Sequence, residues 1–323
     1  MPLDRRSFLR KFAATLALGL PSPSATLATA RTQRRRALLI GVSEYPSLQP
    51  RYQLRGPKND VRAWLTHLQK SRVPFAPQDI SVLADDVTFP GGLEPTRANI
   101  LAGLDAAIAL ARPGDFQLVY FAGHGSQAPQ PPNADHVEQD GMDEIFLPRD
   151  VGRWDGKRGL VTNSIIDDEI GDRLDAVRAA GSNVFAVFDC CHAATMARAD
   201  AGVRWRAVPT LELGIQGAGA TLVGSRQIQG QRRAPLTNIK PSGTLTAFYA
   251  SGGFQAAPEE LLPRRAASST QAAWRGVFTF HLIAALEQAD LASTPSLRDA
   301  SLEILRRYAA EQRIAPAPRF EFP

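Results

Sequence analysis

Four apolar runs of strand length, each separated from the next by a helical stripe, constrain this chain more than any other feature. They are Arg36-Ala37-Leu38-Leu39-Ile40-Gly41-Val42, Ile80-Ser81-Val82-Leu83, Phe116-Gln117-Leu118-Val119-Tyr120-Phe121-Ala122 and Val184-Phe185-Ala186-Val187-Phe188. Continuous apolar runs without strict alternation suit strands covered on both faces. Between the first two, Val61, Trp64, Leu65 and Leu68 mark one face of a helix over 57–69. Thr96 is placed to cap a second helix carrying Ile100, Leu101, Leu104 and Ile108, which Pro113-Gly114 ends. Ser164 is the expected cap of a third, running through Leu174, and 244–250 reads as a further strand. The last helices are expected over 277–287 and 296–311. This order predicts an α/β fold, a mostly parallel sheet with helices on both faces, and it contains no internal repeat.

Composition removes several function classes. With 44% apolar and 21% charged residues over 323 positions, the chain can bury a large core, which excludes disorder over its whole length. Its two cysteines are the neighbours Cys190 and Cys191, so no disulfide framework exists. The N-terminus reads as an address. Arg5-Arg6-Ser7-Phe8-Leu9-Arg10-Lys11, a short apolar run and the small-residue end Ala28-Thr29-Ala30 form an export signal over 1–30. The paired arginines resemble a twin-arginine signal, so a periplasmic or secreted protein is expected. Without this segment the formal charge falls from +5 to about +2. A near-neutral protein lacks the electrostatic footprint of a nucleic-acid binder. The apolar run of the signal is too short to span a bilayer, so stable membrane insertion is not expected either.

In parallel sheets, ligands bind beyond the carboxyl ends of the strands. Two unusual tripeptides sit at such ends: Gly123-His124-Gly125 and Cys190-Cys191-His192. A thiolate attacks a carbonyl far better than a thiol does, and an adjacent imidazole both lowers the thiol pKa and protonates a leaving amine. The Gly125 N–H and that of the nucleophile form the expected oxyanion hole. Against this stands a bland alternative: a hydrogen-bonded loop histidine, with either cysteine packed as a small hydrophobe. His67, His136 and His281 lack any partner signal, and no spacing supports zinc.

The motifs Ala37–Val42, Gly56-Pro57-Lys58-Asn59-Asp60-Val61, Phe121–Gly125, Asp140-Gly141-Met142-Asp143-Glu144, Asp189-Cys190-Cys191-His192 and Gly276–Phe280 occur in the order seen in metacaspases. The chain resembles the prokaryotic branch of these caspase-like cysteine peptidases over roughly residues 35–290. The resemblance implies a caspase-like three-layer sandwich over 31–323 and an endopeptidase acting through an acyl-enzyme. It makes Cys191 the nucleophile, His124 the acid/base and Cys190 a packed bystander. It also implies protein or peptide substrates cleaved after Arg or Lys, with Asp60 and Asp189 lining the pocket for that residue (P1). No cofactor is required for the chemistry; calcium is implied as an activator, with Asp140, Asp143, Asp167 and Asp168 as ligands. A monomer is implied as well. Pro57, Ala122 and Ala193-Ala194 depart from the family pattern around the pocket and the nucleophile. The basic stretch 200–243, weakly patterned, is expected to be a long exposed connection and a site of self-processing. The alternative reading is a non-catalytic peptide- or calcium-binding module on the same fold.

Overall fold

The computed structural model describes residues 32–85, 91–130, 141–190, 203–216, 241–252, 255–264, 272–313 and 316–323. The chain separates into two units, Met1–Thr32 and Gln33–Pro323. The export signal expected over 1–30 lies outside the described residues, and the architecture below is that of the second unit.

Its first half runs β1 (Arg35–Gly41), α1 (Pro57–Lys70), β2 (Ile80–Ala84), α2 (Arg97–Leu110), β3 (Phe116–Ala122), β4 (Gly125–Pro129), β5 (Met142–Phe146), β6 (Trp154–Asp155), β7 (Leu160–Val161) and β8 (Ile165–Ile166). The second half runs α3 (Asp167–Ala179), β9 (Asn183–Asp189), β10 (Val203–Trp205), β11 (Leu245–Tyr249), β12 (Pro258–Leu262), β13 (Ala273–Gly276), α4 (Val277–Ala285), α5 (Thr294–Ala310) and β14 (Arg319–Glu321).

Six strands form the central sheet in the order β14-β11-β9-β3-β1-β2. All its pairings are parallel except β14 on β11. Strand side chains alternate between two apolar layers. Leu38, Ile40, Val119, Phe121, Val184 and Ala186 pack with Ile100 and Leu104 of α2 and Leu174 of α3. Leu39, Leu118, Tyr120, Phe185 and Val187 pack with Val61, Trp64 and Leu68 of α1, Leu282 of α4 and Ile304 of α5. This is the expected three-layer sandwich. Both faces of the sheet are covered, which is why its strands read as continuous apolar runs.

Helix ends follow local chemistry. The Thr96 hydroxyl accepts the Asn99 N–H at 3.3 Å and caps α2 as expected. Ser164 does not cap α3, because its hydroxyl donates to the Val161 carbonyl. That helix starts at Asp167, where Glu169 reaches back to accept the Ile166 N–H at 3.2 Å. The exposed connection expected over 200–243 does not hold for 203–216. Val203–Trp205 pairs antiparallel with β12, and Arg206, Ala207, Val208, Leu213 and Ile215 are buried.

Candidate active site

β3 and β9 are neighbours in register, with Ala122 opposite Asp189. The two tripeptides singled out in the sequence therefore leave adjacent strands at the same edge. Alternation sends Asp189 toward the α1/α4 side and Cys190, 4% exposed, into the α2/α3 core. Cys190 is thus the packed residue that the motif implies. Cys191 lies outside the described residues.

His124 follows the turn after β3 and is buried. A Cβ at Gly123 would lie 2.8 Å from Tyr45 Oη, so only glycine lets the turn approach that ring. The phenol oxygen accepts the His124 backbone N–H at 2.7 Å, and the two rings lie 4.8 Å apart. His124 Nε2 is 2.7 Å from the Tyr52 carbonyl oxygen, which can only accept, so the ring proton sits on Nε2. Nδ1 is then the basic nitrogen, buried and with no hydrogen-bond partner among the described residues. Burial lowers the His124 pKa to about 4, so the ring is neutral near pH 7. The Tyr52 and Arg206 backbones oppose that lowering, so the neutral imidazole is fixed by a carbonyl on Nε2 and keeps a lone pair on Nδ1 that can take a proton. The loop that supplies Tyr45 and Tyr52 is tied down by Asp85, which accepts the N–H groups of Ser43 and Glu44.

The predicted pocket acids do meet, around a partner that sequence reasoning places elsewhere. Arg206 Nη2 donates to Asp60 Oδ2 at 2.5 Å, and Nη1 donates to the Asp189 carbonyl at 2.9 Å. Nη1 also lies 3.0 Å from Asp189 Oδ1, and Nη2 lies 3.7 Å from Glu259 Oε2. All four side chains are sealed from solvent, at 0% exposure. Each carboxylate also has donors of its own. Gly276 N–H donates to Asp60, the N–H and hydroxyl of Thr279 donate to Asp189 Oδ2, and the N–H groups of Arg55 and Gly56 donate to Glu259. Because Thr279 gives its proton to Asp189, Tyr120 Oη must donate to Thr279 Oγ1, at 2.8 Å. A side chain at Gly276 would collide with Asp189 Oδ2 and stand 2.7 Å from Arg206 Nη1. Burial pushes the Asp60 pKa up to about 7, reinforced by the neighbouring Asp189 charge and opposed by Arg206. Burial also opposes the charge on Arg206, but Asp189, Asp60 and Glu259 outweigh it and hold the guanidinium charged.

The Gly125 N–H, expected in the oxyanion hole, donates to the Arg206 carbonyl at 3.1 Å. Of the residues missed in the sequence, Arg206 directly follows β10, Glu259 lies on β12, and Tyr45 and Tyr52 come from the loop after β1. The alternation of Val203 and Trp205 and the apolar pair Ala207-Val208 were the available signals for a buried segment. Three of the four implied calcium ligands lie among the described residues. Asp140 lies outside the described residues, Asp143 accepts from Gln130 at 2.7 Å, and Asp167 and Asp168 occupy the first turn of α3. Among the described residues no group of three or more His, Cys, Asp or Glu side chains forms a metal cage. His67 and His281 are buried, and His136 lies outside the described residues.

A family model described as "Metacaspase, peptidase C14 domain" matches residues 35–199, just over half of the chain. The chain belongs to the metacaspase family. Among curated metacaspases, it is 36% identical over 161 residues to Metacaspase-1 of Coccidioides immitis, covering 50% of this chain and 31% of that one. It is 35% identical over 177 residues to Metacaspase-1B of Aspergillus fumigatus, covering 55% and 40%. The matched region is thus less than half the length of these curated metacaspases. Protein GSU0716 from Geobacter sulfurreducens has a similar fold, with a TM-score of 0.54 at 17% identity, over 90% of this chain and 93% of that one. The metacaspase match includes His124, Asp60 and Asp189 and ends before Arg206 and Glu259. Among the described residues, no helix of this metacaspase is long and apolar enough to cross a membrane.

Proposed function

We propose that this metacaspase is a cysteine endopeptidase that cleaves after Arg or Lys, with Cys191 as nucleophile and His124 as acid/base. The observation that carries the reading is the guanidinium held between Asp60 and Asp189: a pocket that binds the chain's own arginine has the charge and fork geometry for an arginine at P1. In the proposed reaction, His124 Nδ1 takes the thiol proton of Cys191, and the thiolate attacks the carbonyl carbon of the P1 residue. Collapse of the tetrahedral intermediate breaks the C–N bond, and His124 returns its proton to the leaving amine. Water then attacks the thioester, again with His124 as base, and releases the acid and the thiol. An Asp side chain at P1 would face like charge and be rejected.

Calcium activation, self-processing, action as a monomer and export through Arg5 and Arg6 belong to the same reading. Calcium rests on the family resemblance and the acidic runs, and no step is assigned to it. Hydrolysis of fluorogenic peptides ending in Arg, Lys or Asp, with and without calcium, tests the proposal. Turnover confined to the basic peptides is expected; cleavage after Asp, or none at all, would overturn it. For export, Arg5→Lys together with Arg6→Lys should abolish periplasmic delivery.

A further inference from the structure

The acidic pocket contains no room for a substrate side chain, because Arg206 fills it. Its guanidinium contacts Asp60, Asp189 and Glu259, and its backbone carbonyl accepts the Gly125 N–H. Side chain and carbonyl together therefore occupy the two places that a bound P1 residue would need. We infer that Arg206 is an internal occupant of the P1 pocket, which must leave Asp60 and Asp189 before a substrate arginine or lysine can bind. This rests on the Arg/Lys reading of the pocket.

Two features make the occupant exchangeable rather than a fixed strut. First, every carboxylate keeps donors that do not come from Arg206: Gly276 for Asp60, Thr279 for Asp189, and Arg55 with Gly56 for Glu259. The pocket is organised without it. Second, three acids surround one guanidinium, so a departing cation leaves a site that favours either a second cation or protons taken up by the acids. Its departure must also open backbone bonds: the Arg206 N–H donates to the Ala257 carbonyl, its carbonyl accepts from Gly125, and Ala207 bridges Gly125.

The test replaces the occupant and offers a free one. In Arg206→Ala, benzamidine should bind at least tenfold tighter than to wild type by calorimetry, and KM for P1-Arg peptides should fall at least tenfold. A folded Arg206→Ala with both constants within twofold of wild type would overturn the inference. Three unpaired buried carboxylates could unfold this variant, so its melting temperature is also read with ethylguanidinium added. Recovery beyond that given by ethylammonium at equal ionic strength is expected, and Arg206→Lys should fold unaided. If neither variant folds and ethylguanidinium restores nothing, the guanidinium is a structural fixture and the inference falls. Tighter benzamidine binding without cleavage of any Arg or Lys peptide would support the occupant and defeat the Arg/Lys protease reading. Wild-type cleavage after Arg that Arg206→Ala leaves unchanged would do the reverse.

Discussion

Arg206 and Asp60 are 146 positions apart in sequence, yet their side chains form a 2.5 Å hydrogen-bonded ion pair with no solvent access to either. Asp189 and Glu259 complete the cluster, so one cation answers three acids in a fully desolvated site.

Asp60 should make stability depend on pH with an unusual sign. Its pKa rises from 3.8 to about 7 on folding, chiefly through burial and then through Asp189. Between those values the native chain holds a proton that the unfolded chain releases. The stability it contributes is present in full below pH 3.8 and is lost as pH rises through 7. Urea melts at pH 4, 5.5 and 7 should show a shallower loss with rising pH in Asp60→Asn than in wild type. Equal slopes would mean that Asp60 is not the titrating group.

Gly276→Ala should damage the pocket without removing any polar group. The new methyl group would meet Asp189 Oδ2 and stand 2.7 Å from Arg206 Nη1. Overpacking of this kind costs about 1–3 kcal/mol, measurable by chemical denaturation. A variant as stable as wild type would show that the backbone at β13 gives way freely.

The two adjacent cysteines should separate cleanly. Cys191→Ala is expected to abolish peptide hydrolysis, whereas Cys190→Ala, which trims a side chain buried in the α2/α3 core, should leave turnover within a few-fold. Measured rates on one P1-Arg peptide decide this. Loss confined to the Cys190 variant would exchange the two roles.

Tyr45→Phe should weaken the support of the base. It removes the acceptor of the His124 backbone N–H and strands that buried donor, at a cost of about 1–3 kcal/mol. Both the melting temperature and kcat are expected to fall, with KM little changed. An unaltered kcat would show that the Tyr52 carbonyl alone orients the imidazole.

Much of the fold was legible because its signals are short-range. A strand buried on both faces needs an unbroken apolar run, and a helix lying on it needs a stripe, so β3, β9 and α1 are predicted to within a residue or two. Small errors arose where two local solutions competed. Ser164 satisfies its hydroxyl with the Val161 carbonyl, leaving Glu169 to close the first turn of α3.

From sequence alone came the sandwich, the strand ends that carry His124 and the cysteine pair, and, through the family resemblance, the pairing of Asp60 with Asp189 that the structure brings together around Arg206. Tertiary structure alone decided what those acids hold, which nitrogen of His124 is basic and that the Gly125 N–H is engaged. Periodicity reports which face of an element is apolar, because that depends on neighbours three or four residues away. The burial of an arginine depends on carboxylates delivered by α1, β9 and β12, and nothing next to Arg206 in the chain records that they will converge on it.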